Sequence, residues 1–227
     1  MTRSPALIYN NNEKSAREAF AGTNMNYDKT ELNFLEKDVR KAFGDEEGSK
    51  IFMHASKLYA ELAVTTDYQK SETYERQLRR LVFPVIAYYK TLLAFGYKTS
   101  SALGLVRNET EKAAEVCADV LASQMRPIFP YHAFKRNIKN FIEYKFPGRG
   151  WAYSDLKVRG RKITFRIREC LYCTVCNKFG CPELREVFCD YERIAFGKGL
   201  GSIIVVDCGG RIATGHDSCV FSFTKKK

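Results

Sequence analysis

The apolar residues of the first 147 positions recur mostly at helical spacing. Leu32, Leu35 and Val39 lie on one face of a helix that begins near Thr30, a suitable N-cap, and stops at Gly44. The same pattern predicts four further helices, over residues 46–64, 71–95, 108–124 and 131–144. Residues 1–29 show no sustained period and are predicted to form a loose arm.

The third predicted helix, over 71–95, is the most apolar. Beyond Leu81 it is apolar on nearly all sides, which predicts a place in the middle of the core. Pro84 predicts a kink or a break in it, and Gly96 supplies its end.

From Gly148 onward, the apolar period changes from helical to alternating. Ile163, Phe165 and Ile167 alternate with polar residues and predict a two-stranded hairpin with its turn at 159–160. A helix is predicted over 182–196, and two more strands over 203–206 and 219–223. The chain is therefore predicted to be an α+β protein. Its helical body (1–147) packs on an antiparallel ββαββ unit (148–227), in one compact domain.

The composition and the net charge limit the classes of partner that the chain can be expected to bind. The chain has 227 residues, 45% of them hydrophobic and 13% aromatic, enough to bury a sizeable core. The net charge of +11 favours an anionic partner, but Lys and Arg are scattered, and their densest runs are 157–168 and 225–227. We therefore expect no nucleic-acid partner. A small carboxylate-bearing substrate accounts for the charge equally well.

The sequence predicts a cytoplasmic location. Residues 1–12 lack the apolar core of a signal peptide, and the longest apolar run, 81–95, is interrupted by Pro84 and Lys90 and is too short to span a bilayer. We expect no membrane partner. In a reducing compartment, eight cysteines indicate free thiols, a metal site or catalysis rather than a disulfide framework.

Seven of the eight cysteines lie in residues 170–227. Four of them have the spacing of a tetrahedral zinc site: Cys170, Cys173, Cys176 and Cys181. If residues 170–179 are helical, however, three of these share one face and serve equally well as small buried side chains. We favour reduced structural thiols, so no cofactor is required and zinc is the alternative.

A second group of residues carries the side-chain types of a catalytic site. Cys189 and Glu192 stand three apart on the predicted 182–196 helix, so their side chains share a face. His216, Asp217 and Cys219 lie at the turn into the last strand. A thiol, a carboxylate and an imidazole can supply a nucleophile, a base and an orienting group. Spacing alone does not establish that the helix and the turn meet.

Three further candidates in the helical body have simpler interpretations. Cys117 is interpreted as a buried helical cysteine. His54 and His132 are interpreted as structural or surface histidines.

The C-terminal motifs resemble those of the L-2-amino-thiazoline-4-carboxylic acid hydrolase family. They are Arg-Glu-Cys at 168–170, Gly-x-Pro-Glu-Leu at 180–184, Phe-Cys followed by an acid at 188–192, and Arg-Ile-Ala-x-Gly-x-x-x-Cys-x-Phe-x-Phe at 211–223. The family pattern favours aspartate at Glu192 and again after the last cysteine, where this chain has Val220. The same unit also looks like four-vinyl-reductase-type ligand-binding domains, some of which hold zinc through cysteines.

The resemblance implies hydrolytic opening of a small cyclic amidine or thioimidate that carries a carboxylate. Water would attack the carbon between nitrogen and sulfur, which needs a base, a proton donor and a cation for the carboxylate. The resemblance implies Glu192 as the base, His216 or Asp217 as the proton donor or orienting group, and Arg211 as the group that binds the substrate carboxylate. Cys189 is implied as a nucleophile or as a thiol that lines the pocket. Cys219 belongs to the implied catalytic residues, and Cys170 to the implied substrate-binding residues.

The alternative is a non-enzymatic small-molecule-binding or sensor domain, with zinc held by cysteines as an option. The natural substrate and the oligomeric state are left open by the sequence.

Overall fold

The computed structural model describes residues 27–124 and 128–227. Within these ranges the helices are α1 (Leu35–Phe43), α2 (Asp45–Thr65), α3 (Glu72–Gln77), α4 (Phe83–Ala94), α5 (Thr99–Gln124), α6 (Pro130–Arg136), α7 (Ile138–Lys145), α8 (Leu171–Lys178) and α9 (Arg185–Gly199). The strands are β1 (Ala152–Arg159), β2 (Lys162–Glu169), β3 (Ile204–Gly209) and β4 (Cys219–Lys225). The predicted α+β class is confirmed.

Residues 1–26 of the predicted loose arm (1–29) lie outside the described residues. Its last residues form a 3₁₀ turn (Tyr27–Lys29), in which Tyr27 is buried and donates its hydroxyl hydrogen bond to the Pro84 carbonyl at 2.8 Å. Thr30 accepts from the Leu32 N–H at 3.1 Å, so it caps a turn, and α1 begins only at Leu35. The predicted stop at Gly44 is confirmed by its φ of 81°.

The apolar third helix is divided by a π-helical turn, Leu78–Val82, that joins α3 to α4. Pro84 has no N–H, so it cannot donate to the Arg80 carbonyl one turn earlier. The Glu31 N–H donates to that carbonyl instead, at 2.8 Å. The predicted disturbance at Pro84 is thus present as a π-helical turn directly before the proline.

Two helix predictions need correction. The fourth helix is predicted from residue 108, but α5 begins at Thr99. Ala102 and Val106 are fully buried, so the face of α5 that packs on the core extends further toward the N-terminus than predicted. The fifth was predicted as one helix over 131–144, but it divides into α6 and α7 at Asn137.

The four strands form one antiparallel sheet in the order β1-β2-β4-β3. A two-residue loop joins β1 to β2, and its Gly160 has a φ of 51°. Phe165 of β2 lies opposite Phe221 of β4, and their stacked rings lie 5.0 Å apart. Ile163, Phe165 and Ile167, the alternating apolar residues of β2, are all buried.

The helices and the sheet share one core. The fully buried Phe146 ring, just after α7, contacts Phe165 and Phe221 of the sheet and Phe196 of α9. No helix in residues 27–124 or 128–227 combines the length and the apolar character needed to cross a membrane.

Helix α9 packs so closely on α5 that only glycine fits at one position. A Cβ on Gly199 would lie 2.8 Å from both the Ala118 carbonyl oxygen and the Leu121 Cβ. A Cβ on Gly197, in the same helix, would meet nothing within 4 Å.

We expect Gly199→Ala to lower the free energy of unfolding by about 1–3 kcal/mol, because the added methyl group overpacks the contact with α5. Gly197→Ala is the matched control, and its better helix propensity should leave stability unchanged or raise it by up to about 1 kcal/mol. Urea denaturation measures both. Equal effects of the two substitutions would show that α9 does not pack on α5 in this way.

Candidate active site

A cavity of about 160 Å³ opens between α9 and the β3–β4 part of the sheet. We call it the sheet-side cavity. Its lining residues are Cys189, Glu192, Arg193, Phe196, Val206, Asp207, Cys208, Arg211, Cys219 and Phe221. Residues of the 182–196 helix and of the segment that leads into the last strand therefore line one cavity, a meeting that their spacing alone did not establish.

Three separate elements bring the chemical groups to this cavity. Cys189 and Glu192 stand one helical turn apart on α9, as their spacing predicted. Cys219 is the first residue of β4. Cys208 lies on the neighbouring strand β3 and pairs with Phe221, which is two residues after Cys219 on β4. Arg211 follows the turn at Gly210, whose φ of 64° favours glycine.

The Cys219 thiol has a lowered pKa of about 6. The main cause is a hydrogen bond from the Cys208 thiol, and the Ile212 N–H also donates to the Cys219 Sγ at 3.4 Å. The positive charges of Arg211 and His216 act in the same direction, and together these groups outweigh the opposing effect of burial. The shift favours the thiolate of Cys219, which is the reactive form of cysteine.

The Glu192 carboxyl has the opposite character. Burial, and then the negative charge of Cys219, raise its pKa from 4.5 to about 8, while Lys145 opposes the shift. Cys189 also keeps its proton, because burial and the nearby Glu192 raise its pKa to about 12. The cavity thus places a cysteine with a lowered pKa beside a carboxyl and a second thiol whose pKa values are raised.

Not every predicted site residue lies at this cavity. His216 and Asp217 are exposed and are not among its lining residues, and the His216 Nδ1 lies 3.3 Å from the Thr214 Oγ1. Cys170 is buried just before α8, where its thiol hydrogen bonds to Cys173 and its pKa is raised.

The predicted alternative metal ligands form two pairs. Cys170 interacts with Cys173, while Cys176 interacts with Cys181, whose Sγ also lies 3.5 Å from the Cys176 carbonyl oxygen. Across residues 27–124 and 128–227, no three or more His, Cys, Asp or Glu side chains converge in a way that could hold a metal ion.

Sequence reasoning gave no role to Cys208. Its position two residues before Gly210 places it beside Cys219 only once β3 pairs with β4, and the predicted strand stopped short of it at 206. Cys117 was interpreted as buried, but it is only half-buried and has the Lys145 Nζ 3.7 Å from its sulfur. His54 and His132 are exposed, in agreement with the surface interpretation.

The α+β fold thus brings a cysteine with a lowered pKa, a glutamate with a raised pKa and an arginine to one small cavity. The sequence model of the L-2-amino-thiazoline-4-carboxylic acid hydrolase family matches residues 75–223, more than half of the chain, and the chain belongs to that family. The match begins in α3, so it covers much more than the C-terminal motifs. No curated protein matches the sequence.

The raised pKa of Glu192 predicts a pH-dependent loss of stability. Because the folded state binds the proton more tightly than the unfolded state, the contribution of Glu192 is fully present below pH 4.5 and is lost as the pH rises through about 8. Glu192→Gln should lack this loss, and the stability difference between variant and wild type should grow across that window. Urea denaturation at a series of pH values measures it. A difference that does not vary with pH would contradict the raised pKa.

The lowered pKa of Cys219 can be titrated directly. The ultraviolet absorbance of thiolate should show, in wild type but not in Cys219→Ser, a component with its midpoint at about 6. Cys208→Ala should move this midpoint upward, because it removes the main hydrogen-bond donor to the sulfur. An unchanged midpoint in Cys208→Ala would show that Cys208 does not stabilise the thiolate.

Proposed function

We propose that the protein is a hydrolase that opens a small, carboxylate-bearing cyclic amidine or thioimidate ring such as 2-aminothiazoline-4-carboxylate. The observation that carries this proposal is the placement of Cys219, Glu192 and Arg211 around one cavity. Membership of the L-2-amino-thiazoline-4-carboxylic acid hydrolase family supports the reaction class.

Arg211 is suited to hold the substrate carboxylate. Its guanidinium group makes no ion pair or side-chain hydrogen bond within the described part of the chain, and it lines the cavity. A free guanidinium binds a carboxylate through two parallel hydrogen bonds, which fixes the orientation of a small ring. A volume of about 160 Å³ favours a compact substrate over a drug-sized one.

In the first step, the Cys219 thiolate attacks the carbon between the ring nitrogen and the ring sulfur. The bond from that carbon to the ring sulfur breaks, and the Glu192 carboxylic acid gives its proton to the leaving sulfur. The ring is then open, and the former ring carbon is joined to Cys219 as an isothiourea. The two groups begin in the protonation states this step needs, a thiolate and an acid.

In the second step, Glu192 acts as the base. Its carboxylate takes a proton from water, the hydroxide oxygen bonds to the same carbon, and the bond to Cys219 breaks to restore the thiolate. The added hydroxyl proton moves to nitrogen and leaves a ureido group. For 2-aminothiazoline-4-carboxylate, the product is N-carbamoyl-cysteine, with one water consumed.

The other predicted residues take supporting roles in this proposal. Cys189 keeps its proton and lines the cavity, so Cys219 rather than Cys189 is the nucleophile. The exposed His216 supports the Cys219 thiolate through its charge, and the proton-donor role predicted for His216 or Asp217 is taken by Glu192.

The test is turnover of L-2-aminothiazoline-4-carboxylate, followed by release of the product thiol. We expect Cys219→Ser and Glu192→Gln each to lower kcat about a hundredfold or more, because each removes a group that acts in the reaction. Arg211→Gln should mainly raise KM. Glu186→Gln, which changes an exposed acid in the first turn of the same helix, is the matched control and should retain wild-type activity.

Two outcomes would overturn the assignment. Full activity in Glu192→Gln would remove its role as acid and base, and full activity in Cys219→Ser would remove the covalent step. Tight binding of cyclic amidines without turnover, with or without added zinc, would favour the sensor alternative.

A further inference from the structure

Glu192 and Phe196 border a second cavity, of about 90 Å³, on the side of α9 that faces the helical body. We call it the helix-side cavity. It lies among α3, the π-helical turn, α5, α7, α8 and α9. Its lining residues are Glu31, Arg76, Gln77, Arg80, Leu81, Cys117, Tyr144, Lys145, Tyr172, Tyr191, Glu192, Ala195 and Phe196.

Two of the three cations at this cavity lack a carboxylate partner. Lys145 is half-buried, and its ammonium group contacts the Cys117 sulfur at 3.7 Å and the Tyr144 ring at 5.6 Å. Neither Lys145 nor Arg76 forms an ion pair within residues 27–124 and 128–227. Ammonium and guanidinium groups around a partly enclosed cavity favour an anionic occupant.

The acids at the cavity do not cancel this charge. Glu31 accepts a hydrogen bond from the Tyr191 hydroxyl and lies 3.9 Å from Arg80, so these two opposite charges offset each other. Glu192 forms no ion pair within the described ranges, and burial raises its pKa to about 8, which favours the uncharged acid. The remaining positive charge at the cavity comes from Lys145 and Arg76. Its lining also includes the apolar side chains of Leu81 and Phe196.

The π-helical turn helps to build this cavity. It follows Arg76 and Gln77 directly and contains Arg80 and Leu81, and all four line the cavity. The irregular turn is held by the Glu31 N–H bond to the Arg80 carbonyl at 2.8 Å. π-Helical turns are frequent at functional sites.

We propose that the helix-side cavity is a second binding site, for a small carboxylate that pairs with Lys145 and Arg76 and lies against Tyr172 and Cys117. The site is distinct from the Arg211 position, because Arg211 lines only the sheet-side cavity and the two cavities share only Glu192 and Phe196.

Cys117 provides a reporter inside the cavity. Its thiolate displaces iodide from either iodoacetate or iodoacetamide, and these reagents are nearly equal in size but differ in charge. If the cavity selects carboxylates, iodoacetate should be favoured over iodoacetamide at Cys117 about tenfold more than in the urea-unfolded chain. Its rate should also saturate with concentration. Mass spectrometry of the Cys117 peptide measures both rates.

The charge of the cavity is tested with Lys145→Met and, should that variant fail to fold, with Arg76→Gln. Each should reduce the preference for iodoacetate severalfold. The matched control is Lys139→Met on the same helix α7, since Lys139 is 70% exposed and pairs with Glu143 outside the cavity. The control should keep the wild-type preference.

A wild-type preference no greater than in the unfolded chain, or an equal loss in Lys139→Met, would overturn the proposal. Alkylation of Cys117 does not depend on turnover, so failure here would leave the proposed hydrolase function untouched. Loss of turnover would likewise leave this site untouched.

Discussion

The burial of the Glu192 carboxyl is the constraint on which the rest of the site depends. Helix α9 packs on α5 at one face and on the sheet at another, and Glu192 projects between the two cavities that this packing leaves. No ion pair within 4.0 Å compensates it in the described part of the chain, so the protonated form is favoured. The raised pKa of Glu192 therefore follows from the position of the helix.

The lowered pKa of Cys219 follows from the pairing of the sheet in the same way. Antiparallel pairing of β3 with β4 brings the Cys208 thiol to its sulfur, and the turn before β4 directs the Ile212 N–H at it. Acid and thiolate depend on each other, because the charge of Cys219 raises the pKa of Glu192. In the proposed reaction, this pair begins in the state needed for ring opening.

The sequence predicted secondary-structure elements correctly where a single local feature, such as a helix-ending glycine or an alternating apolar pattern, decides them. Gly44 and Gly96 end helices as predicted, and the alternation of Ile163, Phe165 and Ile167 gave the buried face of β2. Boundaries were wrong where tertiary packing extends an element, as at Thr99, where α5 starts earlier than its polar residues indicated. The π-helical turn was not foreseen, because it depends on Glu31 reaching a carbonyl that Pro84 leaves free.

The sequence by itself determined the α+β class, the helical spacing of Cys189 and Glu192, and the motifs that carry the family resemblance, because these are local or periodic properties of the chain. Only the tertiary structure decided that Cys208 meets Cys219, that His216 stays exposed, and that Lys145 faces Glu192 across a second cavity. Hydrogen bonding, burial and charge at these residues depend on segments distant in sequence, and such contacts leave no periodic signal in a single chain.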